Sequence, residues 1–217
     1  TQINLNQIKD IIKFINKKNK MILPVTNSGY GIGEKNKFCT EESPLKPISH
    51  YGVTKVKAEK EIQKIKNFIS LRLATVFGLS GRIRTDLLVN DFTYRAVFDG
   101  KIELFEPNFK RNYIHVKDVA RVIIFSIENF RKLRSNVFNI GLETANLSKI
   151  ELCREIKKKH TKLKIKINEF TKDPDQRDYI VSNKKILSTG WKPRYSLEYG
   201  IRELIKCYKA LKISRNS

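Results

Sequence analysis

Residues 21–55 read MILPVTNSGYGIGEKNKFCTEESPLKPISHYGVTK. The stretch opens on a short apolar run at 21–25, compact enough for a buried strand, although Pro24 removes one ladder donor. The run ends at Thr26, and Asn27, Ser28, Gly29, Tyr30 and Gly31 follow as a turn-rich loop. Glu41, Glu42, Pro44 and Pro47 mark residues 32–50 as surface loop. Ser49 is placed to cap a helix predicted over 49–67. A second buried strand is expected at 68–77, closed by Gly78.

The pattern continues outward in both directions. Ile8, Ile11, Ile12 and Ile15 form one stripe of an amphipathic helix expected over 4–19. Beyond Gly78, a basic loop at 79–86 leads to a helix over 87–99 and a short strand at 102–105. A strand-like run begins at Arg111 and passes into a helix ending near Asn129. A strand at 137–140 stops at Gly141. Ser148 and Glu151 form a capping box for a helix reaching His160. A strand at 164–168, a polar loop at 171–178, a helical turn at 183–188, a break at 190–193 and a closing helix over 197–211 complete the chain. Strands alternating with helices argue for an α/β fold with a mostly parallel sheet.

Composition narrows the class. The chain has 217 residues, 40% of them hydrophobic and 30% charged. That is enough to bury a core and too apolar for a disordered chain. No stretch approaches 18 uncharged apolar residues, so a membrane-spanning helix is not expected, and residues 1–20 have no signal-peptide pattern. Cys39, Cys153 and Cys207 are far apart and odd in number, which gives neither a disulfide framework nor a zinc pattern, and a reducing cytoplasm is expected. Lys+Arg is 44 against Asp+Glu 22, a formal net charge of +22. The basic residues are dispersed, with clusters at 17–20, 157–159 and 162–166, and no zinc-finger spacing or aromatic RNA-binding pattern accompanies them. Nucleic acid is therefore not the expected partner. The abundance of Lys, Asn and Ile is what an AT-rich coding sequence gives, and the alternative is a weak positive field that favours anionic ligands such as nucleotide diphosphates.

The chemistry concentrates at Tyr51 and Lys55. Four residues apart, they share one face of a helix. A phenol is a poor base at neutral pH, and a nearby ammonium lowers its pKa, so that the phenolate can take a proton from a sugar hydroxyl as hydride leaves the carbon. Thr26 lies at a strand end 25 residues before Tyr51, with Tyr30 and Gly31 between them.

With these spacings the chain resembles the extended short-chain dehydrogenase/reductases, the NAD-dependent epimerase/dehydratase family of nucleotide-sugar enzymes. The resemblance runs on through LRLATVFG at 71–78, RNYIHVKDVA at 111–120, FNIG at 138–141, RDY at 177–179 and GWKP at 190–193. It implies an NAD (or NADP) cofactor and transient oxidation and reduction of a nucleoside-diphosphate sugar, as in UDP-glucose 4-epimerases. It also implies a homodimer, a partial Rossmann-type parallel sheet and a small C-terminal substrate-binding subdomain. Residues 1–80 would be the C-terminal half of the Rossmann domain. Residues 81–217 would be mainly the substrate-binding part, with about 111–141 returning to the Rossmann sheet.

The resemblance also implies residue roles. Tyr51 would be the acid/base. Lys55 would lower its pKa and hold the nicotinamide ribose, and Thr26 would hydrogen-bond the reacting sugar hydroxyl. Asn4 matches a cofactor-side Asn, although Gln7 replaces the Gly of that motif. Arg111 and Arg177 match arginines that hold the diphosphate, a task suited to the guanidinium fork. Asn90 lies where the family contacts substrate. His115, Asp118 and Trp191 read as structural.

Two departures stand out. The family's Gly-rich strand–loop–helix, which holds the pyrophosphate, has no counterpart here, since Gly29, Gly31 and Gly33 follow the Thr26 strand. The chain thus reads as a fragment or a truncated product, with the strand at 21–25 left as an unpaired edge. An inactive remnant that binds a nucleotide sugar or a partner chain is the alternative. In the family's 4,6-dehydratases, Asp-Glu follows the Thr. Here Asn27 and Ser28 stand there, and neither titrates near neutrality, which favours epimerisation or keto-sugar reduction over elimination.

Overall fold

The computed structural model describes residues 2–16, 18–168 and 176–216. A π-turn at Gln2–Asn6 leads into α1 (Gln7–Phe14). This helix is shorter than the expected 4–19. The reason lies in two asparagines: Asn16 Oδ1 accepts the Lys18 N–H and Asn19 Oδ1 accepts the Asn16 N–H, both at 2.8 Å. Such side chains offer the backbone an alternative to helical bonding and end the helix.

Next come β1 (Met21–Thr26), the two-residue β2 (Phe38–Cys39) and α2 (His50–Ile62). Ser49 caps α2, its hydroxyl accepting the Gly52 N–H at 3.1 Å. The expected strand 68–77 is two strands, β3 (Phe68–Leu73) and β4 (Thr75–Phe77). The Ala74 N–H still bonds Ile140 O, and beyond it the chain leaves one sheet for another.

The helix α3 (Leu88–Phe98), strand β5 (Lys101–Phe105) and strand β6 (Lys110–His115) follow. Then come α4 (Val116–Glu128), α5 (Phe130–Leu133) and β7 (Asn136–Ile140). The rest is β8 (Asn146–Ser148), α6 (Lys149–Lys159), β9 (Lys164–Asn168), β10 (Ile180–Val181), α7 (Lys184–Leu187) and α8 (Leu197–Asn216). The capping box at Ser148 and Glu151 is present on α6.

The fold is α/β. A three-stranded sheet has the order β1-β3-β7, with both pairings parallel. Among the described residues β1 has one strand partner, so its other edge is open. A second sheet has the order β4-β6-β8, and short parallel pairs join β10 to β2 and β5 to β9. Residues 111–141 therefore divide: β7 pairs with β3, while β6 pairs with β4 and, antiparallel, with β8. One large core spans both sheets, from Ile69 and Leu71 on β3 through Phe77, Tyr113 and Ile114 to Leu204 and Tyr208 on α8. Among the described residues no helix is long and apolar enough to cross a membrane.

Candidate active site

The parallel register brings Thr26, at the C-terminal end of β1, level with Leu73 of β3. Strand ends of this kind face the crevice where open α/β sheets bind ligands. Thr26 Oγ1 accepts the Ser28 N–H at 3.1 Å and lies 2.9 Å from the Ser28 hydroxyl, which starts the 3-10 turn Asn27–Tyr30. Gly31 has φ +66°, and a Cβ there would lie 2.0 Å from the Lys46 carbonyl oxygen, so only glycine fits. Asn27 is fully buried, and neither of its amide atoms has a hydrogen-bond partner among the described residues.

The first turn of α2 packs on this strand end. A Cβ on Gly52 would meet Pro47 at 3.0 Å and Ser28 O at 3.3 Å. Tyr51, on this turn, is half exposed. Partial burial pushes the Tyr51 phenol above its ordinary pKa, and Arg177, Arg84 and Thr26 each pull it back in part. Lys55, one turn along, donates to Pro24 O at 3.2 Å, and its own pKa is lowered by burial. Lys55 thus engages a main-chain carbonyl of the strand that carries Thr26. Asn4 reaches the same helix, donating to Thr54 Oγ1 at 3.4 Å, and Thr54 in turn donates to Tyr51 O at 2.9 Å.

The remaining sequence-derived residues separate. Arg177 comes to the Thr26 turn because its neighbour Asp178 is stitched there: Asp178 N bonds Gly31 O and Gly33 N bonds Asp178 O. The Asp178 carboxylate accepts the Lys110 N–H at 2.7 Å. Asp173 and Asp175, other acidic neighbours of Arg177, lie outside the described residues. Arg111 is buried, donates to Lys110 O and stacks on the Tyr179 ring at 5.6 Å. Asn90 is buried rather than on a helix surface, and both ends of its amide bond the Gly78 backbone, at 2.9 and 3.3 Å. His115 caps α4, Asp118 accepts the Arg194 and Tyr195 N–H groups, and Trp191 is buried in the core.

Three side chains at the site do not stand out in the sequence. Arg84 reads only as part of a basic loop. Glu59 and Arg72 form a buried pair beneath the site, and an arginine inside an otherwise apolar strand is the signal that could have found them. A cavity of about 290 Å³ lies over the 30–46 loop, lined by Tyr30, Phe38, Cys39 and Lys46, and neither Tyr51 nor Lys55 lines it. Among the described residues no group of His, Cys, Asp and Glu could hold a metal ion.

Residues 2–141 match the model of the NAD dependent epimerase/dehydratase family. The chain belongs to this family. It is 27% identical over 230 residues to UDP-glucuronate 4-epimerase 1 of Arabidopsis thaliana, a match covering 94% of this chain and 52% of that protein. To UDP-glucose 4-epimerase of Lactobacillus helveticus it is 29% identical over 219 residues, covering 88% of this chain and 65% of that one. The chain thus spans about half to two thirds of the length of these relatives. Its fold matches the crystal structure of UDP-glucose 4-epimerase from Thermotoga maritima with UDP-glucose, at a TM-score of 0.80 and 24% identity, covering 97% of this chain and 71% of that chain. It also matches UDP-glucuronic acid 4-epimerase from Bacillus cereus, at a TM-score of 0.82 and 21% identity, covering 96% and 68%. This family membership accounts for the parallel β1-β3-β7 sheet, with Thr26 at the end of one strand and the Tyr51 helix packed beside it.

Proposed function

We propose that the chain carries the acid/base half of an NAD-dependent nucleotide-sugar epimerase. The observation that carries this reading is the packing of the Tyr51 turn of α2 against the turn that follows Thr26, at the C-terminal end of a parallel sheet. Thr26 accepts or donates a hydrogen bond to the reacting sugar hydroxyl and orients it. Tyr51 exchanges the hydroxyl proton, taking it as phenolate and returning it as phenol after the sugar has turned its other face; since burial outweighs Arg177 and Arg84, forming the phenolate needs more cationic field than they supply. Arg177 neutralises the diphosphate, and Arg111 supports it from beneath, held by Tyr179. Asn90 acts through the backbone of Gly78.

The donor set suits a nicotinamide dinucleotide. Lys55 has three N–H groups and, among the described residues, one protein acceptor, Pro24 O, so donors remain for ribose hydroxyls. Asn4 and Tyr51 lie on the same side through Thr54. When bound, NAD supplies a reversible hydride acceptor. Asn27 and Ser28, which do not titrate near neutrality, favour epimerisation over water elimination.

The experiment is product analysis by NMR in an assembled enzyme that supplies the Gly-rich half, with NAD and either UDP-glucose or UDP-glucuronate, alongside its Tyr51→Phe variant. Removal of the proton carrier is expected to lower turnover at least about a hundredfold. Turnover that survives in Tyr51→Phe rejects the assignment.

A further inference from the structure

The open edge of β1 carries an uneven set of backbone groups. In an extended strand the N–H and C=O of one residue point to the same side, and those of the next residue to the other. The Met21 N–H bonds Asn67 O at 3.0 Å, and the parallel register runs from Met21 opposite Phe68 to Thr26 opposite Leu73. Met21, Leu23 and Val25 therefore direct their main-chain groups to β3. Ile22, Pro24 and Thr26 turn theirs to the side on which β1 has no strand partner among the described residues.

The middle of that edge is closed to a further strand. Pro24 has no N–H to give. Its carbonyl already accepts the Lys55 ammonium at 3.2 Å. The donors left on the edge are the N–H groups of Ile22 and Thr26, four residues and about 13 Å apart along the strand. A strand laid beside β1 needs a donor and an acceptor at every second residue, and opposite Pro24 it finds neither. The proline is not held there by packing. Its side chain is exposed, whereas Leu23 and Val25 on either side are buried against Ala58 and Ile62 of α2. Lys55 rises from that same helix, and its ammonium ends at the edge carbonyl.

We propose that Pro24 and Lys55 guard the open edge of β1: the proline withholds a donor, the lysine occupies an acceptor, and together they stop the edge from extending the β1-β3-β7 sheet into a second copy of this chain. Exposed edge strands template pairing between chains, and proline and lysine on the edge are the two residue types best suited to prevent it. Two copies meeting edge to edge would also bring two Lys55 ammonium groups together, and like charges repel. The guard is a second use of Lys55. It involves no substrate and no turnover, so it holds whether or not Tyr51 is the proton carrier.

The test is sedimentation velocity of the full chain over a range of concentrations, with hydrogen exchange of the β1 amides to locate any contact. Pro24→Val restores the edge N–H with a good strand former. Lys55→Met keeps the stem of the side chain and removes its charge and donors. Each variant is expected to self-associate more tightly than the parent. The two combined are expected to do so at least about tenfold more tightly, the yield of two or more added hydrogen bonds, since a symmetric pair gains each change twice. The amides at positions 22 and 24 of the double variant are expected to exchange more slowly as concentration rises. If the double variant fails to fold, Lys55→Met carries the test, read at positions 22 and 26. A double variant that associates no more tightly than the parent overturns the proposal. So does tighter association without added protection at the edge amides, which places the contact on another surface. A parent chain that already pairs through positions 22–26 overturns it too. A lowered melting temperature with unchanged association is the outcome of a merely structural contact between Lys55 and Pro24, and overturns it as well.

Discussion

Arg72 in β3 and Glu59 on α2 form a buried ion pair, with Nη2 2.6 Å from Oε1 and side chains only 6% and 3% exposed. Glu59 also accepts the Ser70 hydroxyl at 2.7 Å. Arg72 donates to the Tyr30 hydroxyl at 2.9 Å and to Glu41 O at 3.1 Å, and Tyr30 in turn donates to Asn139 at 2.7 Å. One guanidinium therefore ties the Tyr51 helix, the turn after Thr26 and the strands β3 and β7 into a single frame. Removing either partner leaves an uncompensated buried charge. Arg72→Ala or Glu59→Ala is expected to lose about 3–5 kcal/mol of stability. Urea unfolding measures it, and a loss below about 1 kcal/mol would show that the pair is not the frame described.

The diphosphate assignment separates binding from turnover. Arg177→Ala is expected to weaken nucleotide-sugar binding while turnover at saturation falls less. Removing a hydrogen bond to a charged phosphate oxygen costs about 1.5–3 kcal/mol, or roughly ten- to a hundredfold in affinity. Arg111→Ala is expected to weaken binding similarly and to lower stability too, because Arg111 is buried against Tyr179. Calorimetric titration with UDP-glucose checks both. Unchanged affinity in the two variants would place the substrate elsewhere.

Gly31→Ala tests the turn that follows Thr26. The methyl group would meet the Lys46 carbonyl at 2.0 Å, and the backbone sits at φ +66°. Overpacking of this kind costs about 1–3 kcal/mol, with strain from the left-handed conformation in addition. Thermal melting should register it, and a melting temperature equal to that of the parent protein would contradict the tight approach.

His115 gives the chain a dependence on acid. Its folded pKa is depressed by burial, so in the window from its unfolded value, about 6.5, downward, the unfolded state binds more protons than the native one. Stability is therefore present above that pH and is lost as pH falls through the window. Part of the loss should disappear in His115→Asn, which cannot titrate there. His160 has the same sign, since burial lowers it too, and it contributes to the loss. Melting temperatures from pH 7.5 down to 5 compare the two proteins. Parallel curves would mean that His115 titrates normally.

Much of the frame was legible in the residues because it is set over three or four positions. The caps at Ser49 and Ser148, the shared helix face of Tyr51 and Lys55, and the buried run ending at Thr26 are all local features, and all are present. The mostly parallel α/β sheet followed from strands alternating with helices. The length of α1 was not legible, because a helical stripe of isoleucines says nothing of Asn16 and Asn19 bonding the backbone just beyond it.

The tertiary structure decided everything that depends on which strand lies beside which. Residues 68–77 are apolar almost throughout, and only the end of β7 and the start of the pairing with β6 divide them at Ala74. Lys55 shares a helix face with Tyr51, and only the packing of α2 on β1 brings the carbonyl of Pro24 to its ammonium. Asn90 bonds the backbone of Gly78, a partner that its own helix does not reveal. A sequence by itself determines the chemistry each side chain can perform and the short-range geometry of its own element. Partner choice is set by the packing of distant elements, where a buried donor or acceptor takes whichever complementary group the fold brings within about 3 Å.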